Sequence, residues 1–271
     1  MSDPDTRAKR ALDVLSTLGG SEDAARGMAA FFESQGALGS LAFLTGAGDI
    51  WSREQFSRRD RSLVVITFLT ALGREVELQQ HVSGGLNHGL TRDEIDEIMV
   101  QLAPYIGVPF ALAGAGVVAR TLAAADGKPE RSAPPAPAEA KDRETRRRDG
   151  LAVLQTLLGL PEGTDMSPVG DSTVEQLGDA GDFVVEYAFG DVWSRPQLSR
   201  RDRSLVVISA LAAQAMEHEL EIHLRGALNH GVTPAEIEEA MLTLVVYAGF
   251  PKAINGIHLA RKLFAERGTG S

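Results

Sequence analysis

Residues 51–66 read WSREQFSRRDRSLVVI, and residues 193–208 read WSRPQLSRRDRSLVVI. Shifting the chain by 142 positions lays Trp51–Pro109 over Trp193–Pro251 without a gap, and 34 of those 59 positions are identical. Identity at that density over one fixed offset marks an internal duplication, the first feature to seek because it decides the fold. The likeness continues more weakly upstream, where ALDVLSTL (11–18) is echoed by GLAVLQTL (150–157). Between the copies lies DGKPERSAPPAPAEA (126–140), rich in Pro and Ala and without apolar periodicity, which reads as an extended linker. The expected units are a first domain at 7–125, a linker at 126–144 and a second domain at 145–267.

Each copy reads as helical throughout. Ser57 and Ser199 stand where a helix N-cap should, each with an aspartate three residues on, Asp60 and Asp202. The segment that follows, LVVITFLTAL in the first copy, is apolar nearly all round and should be the buried centre of its unit. A second helix is expected over Glu75–His88, stopped by Gly89. Thr91 with Glu94, and Thr233 with Glu236, have capping-box spacing. Pro109 and Pro251 suit the first turn of a last helix. No segment alternates as a strand would, so the expected fold class is all-α.

Composition excludes several functions. A net charge of −10 argues against nucleic acid, whose binding needs a basic footprint. The chain has no cysteine, which removes disulfides, thiolate nucleophiles and zinc–thiolate sites. No uncharged apolar run approaches the roughly 20 residues of a membrane span, and MSDPDTRAKR leads into no signal-peptide core. A cytoplasmic protein with no membrane or nucleic-acid partner is the expectation.

The residues equipped for chemistry sit in GREVELQQH (73–81) and its counterpart AMEHELEIH (215–223). Glu77 and His81 are four apart, as are Glu219 and His223, so each pair should share a helical face. A carboxylate beside an imidazole raises its pKa and fixes its tautomer, which suits a general acid or base; the bland alternative is a surface ion pair. Arg74, seven before His81, could anchor a substrate carboxylate, but Met216 holds that place in the second copy. His88 and His230 each precede a glycine at a helix end, where the dipole favours a cation; either could also reach a substrate. Trp51 and Trp193 are candidate pocket walls, although core packing is the commoner use of an aromatic. A metal site from Glu217, His218 and His223 fits no common spacing, so neither metal nor other cofactor is expected.

These motifs together resemble the carboxymuconolactone decarboxylase family. The resemblance is carried in the second copy by YAFGDVWSRP (187–196), RRDRSL (200–205), Glu219-Leu-x-x-His223, Asn229-x-Gly-Val-Thr and YAGFPKAIN (247–255). In the first copy it is carried by Trp51-Ser-Arg, RRDRSL (58–63), GREVELQQH (73–81) and YIGVP (105–109). The wider superfamily includes alkyl hydroperoxidase D, with a Cys-x-x-Cys-x-x-x-His motif. Here Arg74 and Glu77, or Met216 and Glu219, would stand in the place of its cysteines, so dithiol peroxide reduction is excluded.

The resemblance implies a tandem pair of alkyl hydroperoxidase D-like helical domains, and a ring that a fused pair would complete as a homotrimer. It implies cofactor-free decarboxylation of a small cyclic carboxylic acid or lactone by general acid–base chemistry. His81 or His223 would then be the acid, Glu77 or Glu219 its orienting group and Arg74 the anchor, with Trp51, Trp193, His88, His230, Tyr247 and Asn255 against the substrate. Within the same family, a tailoring isomerase or dehydratase acting on a polyketide-like acid and a non-catalytic ligand binder are the alternatives. The copies have diverged: Ala113 stands opposite Asn255 and Pro104 opposite Val246. The first copy, with Arg74, Glu77 and His81, is the expected catalytic one.

Overall fold

A computed structural model describes residues 3–128, 135 and 137–268. Among them every regular element is a helix. The first half runs α1 (Pro4–Gly19), α2 (Glu22–Ser34), α3 (Gly36–Leu41), a π-helical segment π1 (Ala42–Trp51), α4 (Arg58–Ala71), α5 (Glu75–Asn87), α6 (Arg92–Ile106) and α7 (Val108–Ala125). The second half repeats the order with α8 (Arg143–Leu157), α9 (Ser167–Leu177), α10 (Asp179–Phe183), π2 (Val184–Trp193), α11 (Arg200–Gln214), α12 (Glu217–Asn229), α13 (Pro234–Ala248) and α14 (Phe250–Arg267). The chain is therefore a tandem duplication of one all-α unit.

The caps form as the sequence dictates. Ser57 Oγ accepts from Asp60 N and Ser199 Oγ from Asp202 N, both at 3.0 Å. Reciprocal capping boxes at Thr91–Glu94 and Thr233–Glu236 open α6 and α13. Pro109 and Pro251 lie in the first turns of α7 and α14. Residues 129–134 and 136 of the Pro/Ala-rich linker lie outside the described residues. Its described end is packed: Lys141 Nζ donates to Asp149, Ser194 Oγ and the Gly190 carbonyl at 2.8–3.1 Å.

The central helices α4 and α11 are buried almost all round. Leu63, Val64, Val65, Ile66 and Phe68 of α4, and Leu205, Val206, Val207 and Ile208 of α11, are all 0% exposed. Burial of each large side chain stabilises the fold by roughly 1.5–3 kcal/mol. The two helices pack against each other, α6 packs on α11 and α13 on α4, so one continuous core includes residues of both halves. Two units with separate cores are thus not what the duplication produced.

Ion pairs across the seam are reciprocal. Arg59 reaches Asp202 at 2.9 Å and Arg201 reaches Asp60 at 2.8 Å. Arg53 and Arg61 converge on Glu239, while Arg195 and Arg203 converge on Glu97. Each of these ion pairs from first half to second has its counterpart in reverse, which defines an approximate twofold axis between α4 and α11. The Arg61 and Arg203 side chains are wholly buried, and Glu239 and Glu97 nearly so. A buried charge is tolerated only when paired, so these clusters fix the register of one half on the other.

The helix α7 is long and apolar enough to span a membrane by length and composition alone. Its Val117, Val118 and Leu122 are buried in the core, whereas Val108, Phe110 and Leu112 are exposed.

Candidate active site

The π-helical segments end on the tryptophans. π-helical turns are rare and concentrate at functional sites; each here delivers a buried indole. Trp51 and Trp193 are 4% and 0% exposed. The Trp51 ring stacks on His81 at 5.6 Å, and Trp193 on His223 at 6.1 Å. The second histidine of each half flanks the same indole, His88 at 5.9 Å from Trp51 and His230 at 5.8 Å from Trp193.

The remaining wall comes from the other half. Trp51 Nε1 donates to the Tyr247 hydroxyl at 2.9 Å, and that hydroxyl lies 3.3 Å from His81 Nε2. In the mirror cluster Trp193 Nε1 donates to the Tyr105 hydroxyl at 2.7 Å, and the Tyr105 ring meets His223 edge-on at 5.3 Å. Each cluster therefore takes tryptophan and histidines from one half and tyrosine from the other. Tyr247 belongs with His81, not with the histidines of its own copy. Tyr105, its equivalent in the repeat, lay unassigned within the YIGVP motif although the same 142-residue shift pairs the two tyrosines.

Tautomers follow from donor chemistry. An indole N–H only donates, so the Tyr247 hydroxyl accepts from Trp51 and has its own hydrogen free for His81 Nε2. The His81 proton then resides on Nδ1, which is buried and has no partner, as is His223 Nδ1. Burial, reinforced by the neighbouring histidine, pulls both imidazoles down to about 4. They are neutral at pH 7, each an uncharged ring with an unused polar nitrogen in an apolar interior.

This corrects the expected carboxylate–imidazole pairs. Glu77 and Glu219 are exposed, and among the described residues neither bonds to its histidine. His81 and His223 turn inward under the tryptophans, whereas an ionised carboxylate would lose its hydration by following. The pKa shift is accordingly opposite in sign to the one a carboxylate would cause. Arg74 is also displaced. The helix begins at Glu75, and Arg74 is its non-helical N-cap with φ −96° and ψ 73°, so the seven-residue spacing no longer sets a shared face. Its side chain is exposed.

His88 and His230 are not helix-end cations. His88 Nδ1 is 2.8 Å from Ser62 Oγ and Nε2 is 3.1 Å from Thr17 Oγ1. His230 makes the same pair of contacts with Ser204 and Thr156, at 2.8 and 3.0 Å. Burial, then the neighbouring arginine (Arg58 or Arg200), holds both near 4. Their ring nitrogens are occupied, so they buttress the tryptophans. Asn255 is exposed on α14 and donates to Glu217 at 2.7 Å, outside the cluster. Among the described residues no group of three His, Asp or Glu side chains could hold a metal ion.

Comparison with known proteins agrees with the duplicated fold. The profile of the carboxymuconolactone decarboxylase family matches twice, at residues 38–120 and 178–262. The chain belongs to that family. Within it, the chain is similar to 4-carboxymuconolactone decarboxylase of Acinetobacter baylyi, 37% identical over 129 residues, which are 46% of this chain and 91% of that protein. Such a relative has the size of one half of this chain. Nitrosuccinic acid decarboxylase of Metarhizium robertsii is 42% identical over 81 residues, 30% of this chain and 57% of its own length. Peroxisomal protein 2 of Schizosaccharomyces pombe is 38% identical over 63 residues, 23% of this chain and 30% of its own length. Both family matches run from the helices before the tryptophan into the last helix of their half, so each contains the histidines of one cluster and the tyrosine of the other.

Proposed function

We propose that this protein is a cofactor-free decarboxylase of a small carboxylic acid or lactone, working at the composite Trp–Tyr–His clusters. The observation that carries this reading is the buried, unpartnered Nδ1 of His81 and of His223. Two of the similar proteins are named as decarboxylases, one of 4-carboxymuconolactone and one of nitrosuccinic acid, which supports the reaction class.

Decarboxylation breaks a C–C bond and leaves its electron pair on the substrate, where it delocalises onto a conjugated oxygen. The neutral imidazole does not serve as a cationic acid. Its Nδ1–H is a fixed donor to the oxygen on which charge collects, in surroundings that make such a bond strong. Tyr247 holds the His81 tautomer, and Tyr105 stands in the same place beside His223. Burial raises both phenols above the ordinary tyrosine value, so they stay protonated. The released carbon takes up a solvent proton in place of carbon dioxide.

Three chains are proposed to close a ring, as the family resemblance implies. The exposed apolar side chains Val108, Phe110 and Leu112 at the start of α7, and Phe250 and Ile254 at the start of α14, supply cohesive surface at matching places in both halves. The cytoplasm remains the proposed compartment.

The test is release of carbon dioxide from 4-carboxymuconolactone and from nitrosuccinate by the full chain. His81→Asn and His223→Asn are assayed singly and together. Loss of a charge-stabilising donor should lower turnover by roughly 10²–10³-fold. A double variant with wild-type turnover rules the clusters out.

A further inference from the structure

The duplication left the two halves unequal at one charge. In the first half Arg58, which opens α4, gives its guanidinium to Asp13 at 2.9 Å and to Thr17 Oγ1 at 3.3 Å. Arg58 and Asp13, with Arg10 and Arg53, wall a cleft of about 410 Å³. Every arginine of that wall is neutralised, Arg10 by Asp49, Arg53 by Glu239 and Arg58 by Asp13.

In the second half Arg200 occupies the place of Arg58. The repeat that aligns ALDVLSTL with GLAVLQTL puts Ala152 opposite Asp13, so the countercharge is missing. Arg200 is half-buried and donates to the backbone carbonyl of Trp193. Among the described residues it pairs with no carboxylate. It stands close enough to lower the His230 pKa, and His230 packs on the Trp193 ring that covers His223. Burial, with Arg203 nearby, brings the Arg200 guanidinium down to about 10, so it is charged at neutral pH. A half-buried cation without a countercharge is unfavourable in the free protein. It becomes favourable when an anion arrives, and a guanidinium grips a carboxylate through two parallel hydrogen bonds.

We propose that Arg200 is the substrate-carboxylate anchor and that the second-half cluster, not the first, takes the acid, because Asp13 occupies the equivalent cation in the first half. This inference rests on the acid-decarboxylase reading but is separable from it, since binding and turnover are read independently.

The experiment is calorimetric titration of the full chain at low salt with two stable dicarboxylates, succinate and cis,cis-muconate. Ala152→Asp restores the missing countercharge at an exposed helical position. Asp13→Ala frees Arg58 at its exposed counterpart. The expected stoichiometry is one dicarboxylate per chain for the wild type, none for Ala152→Asp and two for Asp13→Ala. Arg200→Gln should also lose binding, with thermal melting checking its fold. Absence of binding to the wild type, or a stoichiometry unchanged in Ala152→Asp, overturns the anchor. Binding that follows this pattern without carbon dioxide release from either candidate substrate keeps the anchor and discards the decarboxylase reading. Carbon dioxide release undiminished by Ala152→Asp keeps the decarboxylase and discards the anchor.

Discussion

The hydroxyl of Tyr247 lies 3.3 Å from Nε2 of His81, a residue 166 positions earlier in the chain. That contact makes the site a property of the assembled pair of halves. A lesion in one half should therefore be read out at the histidine of the other. Tyr247→Phe removes the hydroxyl that holds the His81 tautomer without opening a cavity. The ¹⁵N signals of His81 should move towards a mixed tautomer while those of His223 stay put, and Tyr105→Phe should do the reverse. Turnover should fall by about tenfold, the worth of one hydrogen bond, in Tyr105→Phe, which touches the cluster that takes the acid, and should hold in Tyr247→Phe. Turnover and ¹⁵N spectra that ignore both changes would separate the tyrosines from the mechanism.

Glu77 and Glu219 lie in solvent, away from the imidazoles. Glu77→Gln and Glu219→Gln should leave turnover within about a factor of two, the range for exposed positions remote from partners. A hundredfold loss in either would mean that the carboxylate swings onto its histidine during the reaction.

Much of this architecture was legible from the repeat, the serine and threonine caps and the apolar run of α4, because those signals are local and period-driven. What stayed hidden was long-range. Nothing in the i, i+4 spacing of Glu77 and His81 tells that Trp51 and Tyr247 would claim the ring and draw it inward. Tyr105 and Tyr247 each looked like part of a helix-end motif in its own copy, and only the crossing of α6 over α11 and of α13 over α4 exchanges them. Arg74 leaves the face of His81 for a local reason: the helix starts one residue later than a seven-residue face requires. The π-helical segments carry no sequence signal beyond the glycines and aromatics that precede Trp51 and Trp193.

Glu239 accepts from Arg53 at 2.5 Å and from Arg61 at 3.2 Å, with Arg61 wholly buried. Removing the carboxylate leaves a buried guanidinium in the core between α4 and α13. Glu239→Ala should destabilise the chain by about 3–5 kcal/mol, and Glu97→Ala, around Arg195 and Arg203, should match it. Urea denaturation measures the difference. A loss under 1 kcal/mol would show that the seam relaxes to hydrate the arginine.

Gly73 closes α4 with φ +65°, and the second half places Ala215 at the same point with φ +60°. The β-carbon of an L-residue makes that conformation unfavourable by roughly 1–2 kcal/mol. Ala215→Gly should therefore stabilise the protein by up to about 1 kcal/mol after the added chain entropy of glycine is counted. Gly73→Ala should destabilise it further, since a β-carbon there also comes within 3.3 Å of the Phe110 ring. The thermal midpoints of the two variants should move in opposite directions.

Four imidazoles, those of His81, His88, His223 and His230, are held near 4 by burial. An unfolded histidine titrates near 6.5. The folded pKa lies below the unfolded one, so at intermediate pH the unfolded chain binds more protons than the folded chain. Their contribution to stability is complete above about pH 6.5 and is lost progressively as the pH falls towards 4. Carboxylates whose pKa is lowered in the fold, such as Glu94 and Glu236 beside Arg59 and Arg201, act in the same direction but at lower pH. The denaturation midpoint should accordingly be flat from pH 8 to 7 and fall steeply between pH 6 and 5, before the carboxylates titrate. Replacing His88 and His230 by Gln, which retains hydrogen bonding to the serine and threonine hydroxyls, should flatten part of that fall. A midpoint constant down to pH 5 would mean that these rings are charged in the fold, and the neutral-donor role of His81 and His223 would go with it.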